Sequence, residues 1–376
     1  MKVYLDNAAT TPIAPDIIDM MSKMMQVNFA NPSSVHSFGR ESRTIVESAR
    51  KRIASLLNTS PGSIFFTSGG TEADNMAIRC AIYDYKITHA ITSEISHHAV
   101  LYPLQDLQRE GLIKLSYVDI DQNGVVSISH LRKLLEESPR SFVSIMHANN
   151  EIGTIQDLKK IGDICKEHDA IFHSDTVQTI AHYPFDMQEL NVDFMAASAH
   201  KFHGPKGVGF IYISEDINIH PLLRGGGQER NMRAGTENIY GIAGLAMAME
   251  MAYEHLEEET NYIKGLKMYM INKLKSELED VQFYGKCTDI ENSLYTVLSC
   301  HFPETDIAEM LLFNLDILGV ACSGGSACAS GGNKGSHVLS ALLPNSRRPG
   351  IRFSFSKYNS QEDIDFAVAK LKQLFS

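Results

Sequence analysis

Through the first two-thirds of the chain, short β-rich runs alternate with stretches of helical periodicity. That alternation narrows the fold more than any other feature. Ile64-Phe65-Phe66-Thr67 reads as a strand, followed by Gly69-Gly70-Thr71 and an apolar-periodic stretch to about Tyr85. Further strands are expected at 89–93, 115–120, 142–146, 171–174, 194–198 and 208–213, and helices at 99–110, 129–137 and 158–168. Strands spaced this way predict an α/β fold with a mostly parallel, seven-stranded sheet. After about Thr236 the pattern changes. Residues 239–278 are nearly Gly-free and predict two helices, and strands near 293–299 and 350–355 with helices near 309–318 and 361–374 predict a smaller α+β domain. The expected division is an N-terminal arm (1–14) packing on the small domain, a large domain (15–245) and a C-terminal domain (246–376).

Composition sets the outer limits. The 376 residues are 44% hydrophobic and 21% charged, with a net charge of −11. This balance argues against a general nucleic-acid grip. No apolar run approaches the roughly 18–20 residues of a membrane span. Met1-Lys2-Val3-Tyr4-Leu5-Asp6 lacks the apolar region of an export signal, so a cytoplasmic location is expected. The six cysteines (Cys80, Cys165, Cys287, Cys300, Cys322 and Cys328) form no CxxC pair and fit reduced thiols.

Several strand ends carry chemistry. Ser68-Gly69-Gly70-Thr71-Glu72-Ala73 lies between a strand and a helix, where backbone N–H groups and the helix dipole favour a phosphate. It is not a P-loop, because no GK[ST] follows, and an ordinary strand-to-helix turn is the alternative. Asp175 ends the run Ile171-Phe172-His173-Ser174-Asp175, at the edge where ligands of open α/β sheets gather. A pyridinium nitrogen would give its carboxylate a cationic partner, while a helix N-cap is the other reading. His97, in Ser96-His97-His98-Ala99, suits stacking on an aromatic cofactor, or a cap; the adjacent histidines lack metal-ligand spacing. Lys201 follows Met195-Ala196-Ala197-Ser198-Ala199-His200, at a strand end beside polar phosphate donors. Lys206, in a Gly-Pro-Lys-Gly turn, is its rival and is expected to be exposed.

The run from Ala321 to Gly335 holds Cys328 among five glycines and three serines. Such a composition predicts a mobile arm (about 321–337) rather than core. Cys322 reads instead as a small buried residue. A lysine amine can hold an aldehyde cofactor as a Schiff base, and a mobile thiolate can attack what is bound there. Together Lys201 and Cys328 suggest an enzyme using pyridoxal 5′-phosphate (PLP) with a cysteine as second nucleophile. Arg352, in Gly350-Ile351-Arg352-Phe353-Ser354, suits a bidentate grip on a substrate carboxylate, or a structural salt bridge.

Taken together, the motifs resemble the cysteine desulfurases of the class V aminotransferase group, of the NifS/IscS-like kind. Asp6-Asn7-Ala8-Ala9-Thr10-Thr11-Pro12, Asn31-Pro32-Ser33-Ser34-Val35-His36, Thr67 to Glu72, His147-Ala148-Asn149-Asn150-Glu151-Ile152-Gly153, Ser198 to Lys201 and Gly324-Gly325-Ser326-Ala327-Cys328 match in order and spacing. The resemblance implies PLP-transferase fold type I. It implies that Lys201 carries the cofactor, Asp175 holds the ring nitrogen, Gln178 the ring hydroxyl, and that His97 stacks on the ring. Gly70, Thr71, Ser198 and His200 would bind the phosphate, and Asn150 would lie near ring and substrate. Thr236 would reach the phosphate of a partner subunit, implying a homodimer. Asn31 and Arg352 would hold the carboxylate of L-cysteine, and Cys328 would carry the persulfide. The sulfur would pass to an acceptor protein, an iron–sulfur scaffold or a tRNA-thiolation enzyme. The loop after Cys328 is similar to the long-loop subgroup. The chain ends at Ser376 without the tail some members use to dock a scaffold, which leaves the acceptor open. A selenocysteine lyase or transaminase on the same cradle, and a catalytically silent sulfur-pathway partner, are the alternatives.

Overall fold

The computed structural model describes residues 1–138, 140–305, 307–324, 336–346 and 348–375. Its strands are β1 (Val3–Tyr4), β2 (Ile64–Thr67), β3 (His89–Thr92), β4 (Lys114–Tyr117), β5 (Phe142–Ser144), β6 (Ile171–Asp175), β7 (Phe194–Ser198), β8 (Gly209–Ile213), β9 (Gln282–Phe283), β10 (Val297–His301), β11 (Val320–Ala321) and β12 (Gly350–Ser354).

Seven of them form one sheet, ordered β2-β8-β7-β6-β5-β3-β4. All its strands run parallel except β8, which is antiparallel to both β2 and β7. Most of these strands are buried along their whole length, as expected when helices cover both faces of a sheet. The period of two sorts their side chains. On β7, Phe194 and Ala196 enter the core that contains Ala73, Ala77 and Ala81 of the helix Gly70–Asp84. Met195 and Ala197 enter the opposite core, with Val46 and Ile53 of Ser37–Leu56 and Ile242 and Leu245 of Ile239–Glu254.

The stretch 239–278 forms two helices, Ile239–Glu254 and Leu256–Glu277, as predicted. Beyond them β12, β10 and β9 make an antiparallel sheet, backed by Leu256–Glu277 and Gln361–Phe375. β10 starts later than expected: Ser293 only bridges Thr154, and the Val297 N–H turns back to Leu294 O. At the N-terminus, β1 pairs in parallel with β11, more than 300 residues away, and buries Val3 and Leu5 in the C-terminal core.

Three helices have no counterpart among the predicted elements: Pro15–Val27, Ser37–Leu56 and the short His337–Leu342. The buried face of the second includes Ser42, Ala49 and Arg50, so its apolar stripe is thin. Arg50 is buried because it pairs with Glu229, with Nη2 2.7 Å from Oε1. Among the described residues, no helix is long and apolar enough to cross a membrane.

Candidate active site

One cleft lies at the C-terminal edge of the large sheet, where the strand order brings the loop ends together. It spans about 740 Å³ of non-protein space, the open solvent at its mouth included. Gly70 and Thr71 enter from the turn after β2, His97 from the loop after β3, and Asn150 from the loop after β5. β6 ends in Asp175 and leads to Gln178, while β7 ends in Ser198 and leads to His200 and Lys201. Arg352 reaches in from β12.

Lys201 closes the single 3-10 turn Ala199–Lys201 that follows β7. Its Nζ donates to Ala8 O at 2.7 Å and Ala9 O at 2.8 Å. Gln178 Nε2 donates to the same Ala8 carbonyl at 3.0 Å. The N-terminal arm thus forms a wall of the site through backbone oxygens. Lys206 is exposed, as expected of the rival lysine.

Asp175 is 5% exposed, and its Oδ1 accepts the Val177 N–H at 3.0 Å. A turn rather than a helix follows it, so it caps no helix. A second carboxyl, Asp74, projects into the cleft from the helix Gly70–Asp84 and is 1% exposed. Burial, reinforced by the charge of Asp175, pushes the Asp74 carboxyl well above the usual carboxylate range. His173 lies two residues before Asp175 and shares its face of β6. Its Nε2 is 3.3 Å from Asp74 Oδ1, and its Nδ1 meets Ser144 Oγ at 2.8 Å. Burial lowers its pKa to about 3, so the ring is neutral.

His97 serves as cap and site residue at once. Its Nδ1 accepts the Ala99 N–H at 3.1 Å at the start of the helix His98–Arg109. An accepting Nδ1 puts the neutral ring's proton on Nε2. Burial is the main cause that lowers the His97 pKa; Asp175 opposes it, and Lys201, His98 and His337 assist it. His200, its Nδ1 3.1 Å from Thr10 Oγ1, is pushed down to about 4 by burial and then by Lys201 and Lys206. At the start of the helix Gly70–Asp84, Gly69 has φ +153°, and a Cβ on Gly70 would lie 2.5 Å from Val177 Cγ2. The helix N-terminus therefore approaches the Asp175–Gln178 turn as only glycine allows.

The aminotransferase class-V family model matches residues 3–366. The cysteine desulfurase IscS of Dictyoglomus turgidum is 42% identical over 377 residues, covering 99% of this chain and 94% of the relative. A solved NifS-like protein superposes with a TM-score of 0.91 at 37% identity, covering 100% of this chain and 99% of its own. A solved structure of SspA in complex with cysteine superposes with a TM-score of 0.79 at 30% identity, covering 95% of this chain and 100% of its own. The chain belongs to the cysteine desulfurases of the aminotransferase class-V family. Membership entails PLP as cofactor, and the cleft of this desulfurase fits it. It offers a lysine amine, a buried carboxylate, an imidazole, and a glycine-lined helix N-terminus flanked by Ser198 and Thr71.

Not every expected site residue meets in this cleft. Asn31 is exposed, its Oδ1 accepting the Ser33 N–H at 2.8 Å, and does not line the cleft. Thr236 is also exposed and lines a separate depression with Ser68, Arg233 and Gly235. Cys328 lies outside the described residues. Cys322 is half-buried, and burial pushes its thiol up to about 12. Arg352 joins both readings made of it: it faces the cleft and pairs with Asp6, Nη2 to Oδ1 at 2.7 Å. Asp6, Ala8, Ala9 and Asp74 were not among the expected site residues. The arm motif was the one signal for the first three, and the spacing Gly70 to Asp74, one helical turn, was the signal for the last.

Proposed function

We propose that this desulfurase converts L-cysteine to L-alanine and leaves the sulfur as a persulfide on Cys328, from which it passes to an acceptor protein. The observation that carries the reading is the convergence of Lys201, Asp175, His97 and Arg352 on one cleft. Lys201 would bind PLP through its aldehyde, Asp175 would meet the ring nitrogen, Gln178 the ring hydroxyl and His97 the ring face. Gly70, Thr71, Ser198 and His200 would hold its phosphate. When bound, the cofactor supplies an electron sink for charge released at the substrate Cα.

The chain's residues do the rest. Arg352 and Asn150 orient the substrate, and Lys201 Nζ takes the proton from Cα. His97, with its proton on Nε2, is the acid in the same cleft. The Cys328 thiolate attacks the substrate sulfur; the carbon–sulfur bond breaks and a sulfur–sulfur bond forms. The electron pair left on carbon is quenched by a proton, so alanine and one persulfide balance one cysteine and one thiol.

The exposed Thr236 and Asn31 fit a homodimer, in which Thr236 reaches the partner's phosphate site. Exposed Phe29, Val35 and Phe38 beside Asn31 support that surface as the interface. The arm (1–14), large domain (15–245) and small domain (246–376), and a cytoplasmic setting, complete the reading. The test is a Lys201→Ala protein. It should lose the bound cofactor's colour and all alanine production from L-cysteine, and wild-type turnover in that variant would refute the assignment.

A further inference from the structure

Arg352 reaches the cleft already carrying a carboxylate. Its Nη2 donates to Asp6 Oδ1 at 2.7 Å and its Nη1 to Asn150 O at 2.9 Å. The side chain is 2% exposed, and Nε is buried without a partner. Asp6 is itself fixed in place. Ser323 Oγ donates to the same Oδ1 at 2.8 Å, and backbone bridges join Asp6 to Ser354 and Ser323 to Arg352. Just before Asp6, β1 runs along β11. The backbone at Asp6 is thus fixed, and its carboxylate is held from two sides, by Arg352 and by Ser323.

A buried guanidinium needs a counter-charge, and Asp6 supplies one while the cleft is empty of substrate. The same contact must act when a second carboxylate arrives. It fixes the plane of the guanidinium, occupies one of its N–H groups, and repels the incoming charge at short range. We propose that Asp6 is a positioning residue that acts through Arg352: it fixes which edge of the guanidinium the amino-acid carboxylate takes, and it holds the affinity for that carboxylate down. This rests on the reading of Arg352 as the carboxylate holder. Asp6 thereby favours release of alanine, whose carboxylate is the same as that of cysteine.

The test uses the holoenzyme and Asp6→Asn, which keeps an oxygen for Arg352 and Ser323 but removes the charge. Calorimetric titration should show L-alanine bound about tenfold tighter than by wild type, a difference of roughly 1.4 kcal/mol. Ethylamine, the same ligand without its carboxylate, should bind unchanged. The KM for L-cysteine should fall severalfold while kcat changes less than KM. Asp6→Ser, which also removes the charge, should shift L-alanine binding in the same direction, and thermal melting checks that either variant is folded. Unchanged or weaker L-alanine binding in the folded variants, or an equal shift with ethylamine, overturns the proposal. Arg352→Gln separates the two readings. Weaker L-alanine binding in that variant upholds Arg352 as the carboxylate holder, whereas unchanged binding overturns that assignment and the role of Asp6 with it.

Discussion

Replacing Gly70 by alanine tests how tightly the glycine-lined side of the cleft is built. The new Cβ would lie 2.5 Å from Val177 Cγ2, more than about 1 Å inside the usual 3.5–4.0 Å carbon contact. Valine is β-branched and stiff at χ1, so it yields poorly. Overpacking of this kind costs about 1–3 kcal/mol. Alanine regains at most about 1 kcal/mol of helix propensity over glycine, so the net change should be a loss of about 1–2 kcal/mol. Val177 lies between Asp175 and Gln178, and its N–H holds the Asp175 carboxylate. The strain should therefore reach the cofactor, weakening PLP binding about tenfold, with 1.4 kcal/mol per factor of ten. Fluorescence titration of the apoprotein with PLP and thermal melting measure both effects. The double variant Gly70→Ala with Val177→Ala should recover most of the lost melting temperature, because it removes the clashing methyls. A Gly70→Ala protein that melts and binds PLP like wild type would refute the reasoning, and so would a double variant no better than the single one.

Two further outcomes follow from buried charges. Arg50→Ala strands Glu229, which accepts from Arg50 Nη1 and Nη2 and from the Phe66 N–H; urea unfolding should show a loss of about 3–5 kcal/mol, and a loss under 1 kcal/mol would count against a buried pair. Asp74 titrates above its unfolded value of about 3.9, so the folded state holds that proton more tightly, and the stability this brings, full at low pH, is lost as pH rises through the folded value. Asp74→Asn removes that slope, so the variant apoprotein should gain on wild type as pH rises above about 4; a pH-independent difference in melting temperature would contradict the raised carboxyl.

Much of the fold was legible because its signals are local. Most strands of the large sheet are short, largely apolar runs between turn residues, and the residues after β2, β3, β6 and β7 inherit their place from the strand ends. Lys201, Asp175 and His97 could therefore be picked out one by one, though each also had an ordinary explanation until the topology brought them together. The helix Ser37–Leu56 was not legible, because its core face sets Val46 and Ile53 among small and polar residues and depends on a partner, Glu229, that lies 179 residues away. The arm's part in the site was hidden for a similar reason. Ala8 and Ala9 act through carbonyl oxygens, which no residue type announces, and meet Lys201 across more than 190 residues. Asp6 looked like part of an arm motif, and only the folded chain brings it to Arg352, 346 residues on. Asn31 and Thr236 show the converse: sequence motifs named them, yet a single chain leaves both outside its cleft.

The central claim is that sulfur leaves L-cysteine for Cys328. The most direct measurement is a single turnover without reductant, with alanine counted and the sulfur located by peptide mass spectrometry. The account predicts one added sulfur atom on the peptide holding Cys328, in step with one alanine, and a Cys328→Ala protein that keeps its bound cofactor but makes no alanine. Alanine formed at an undiminished rate by that variant, or sulfur found on Cys322 instead, would contradict it.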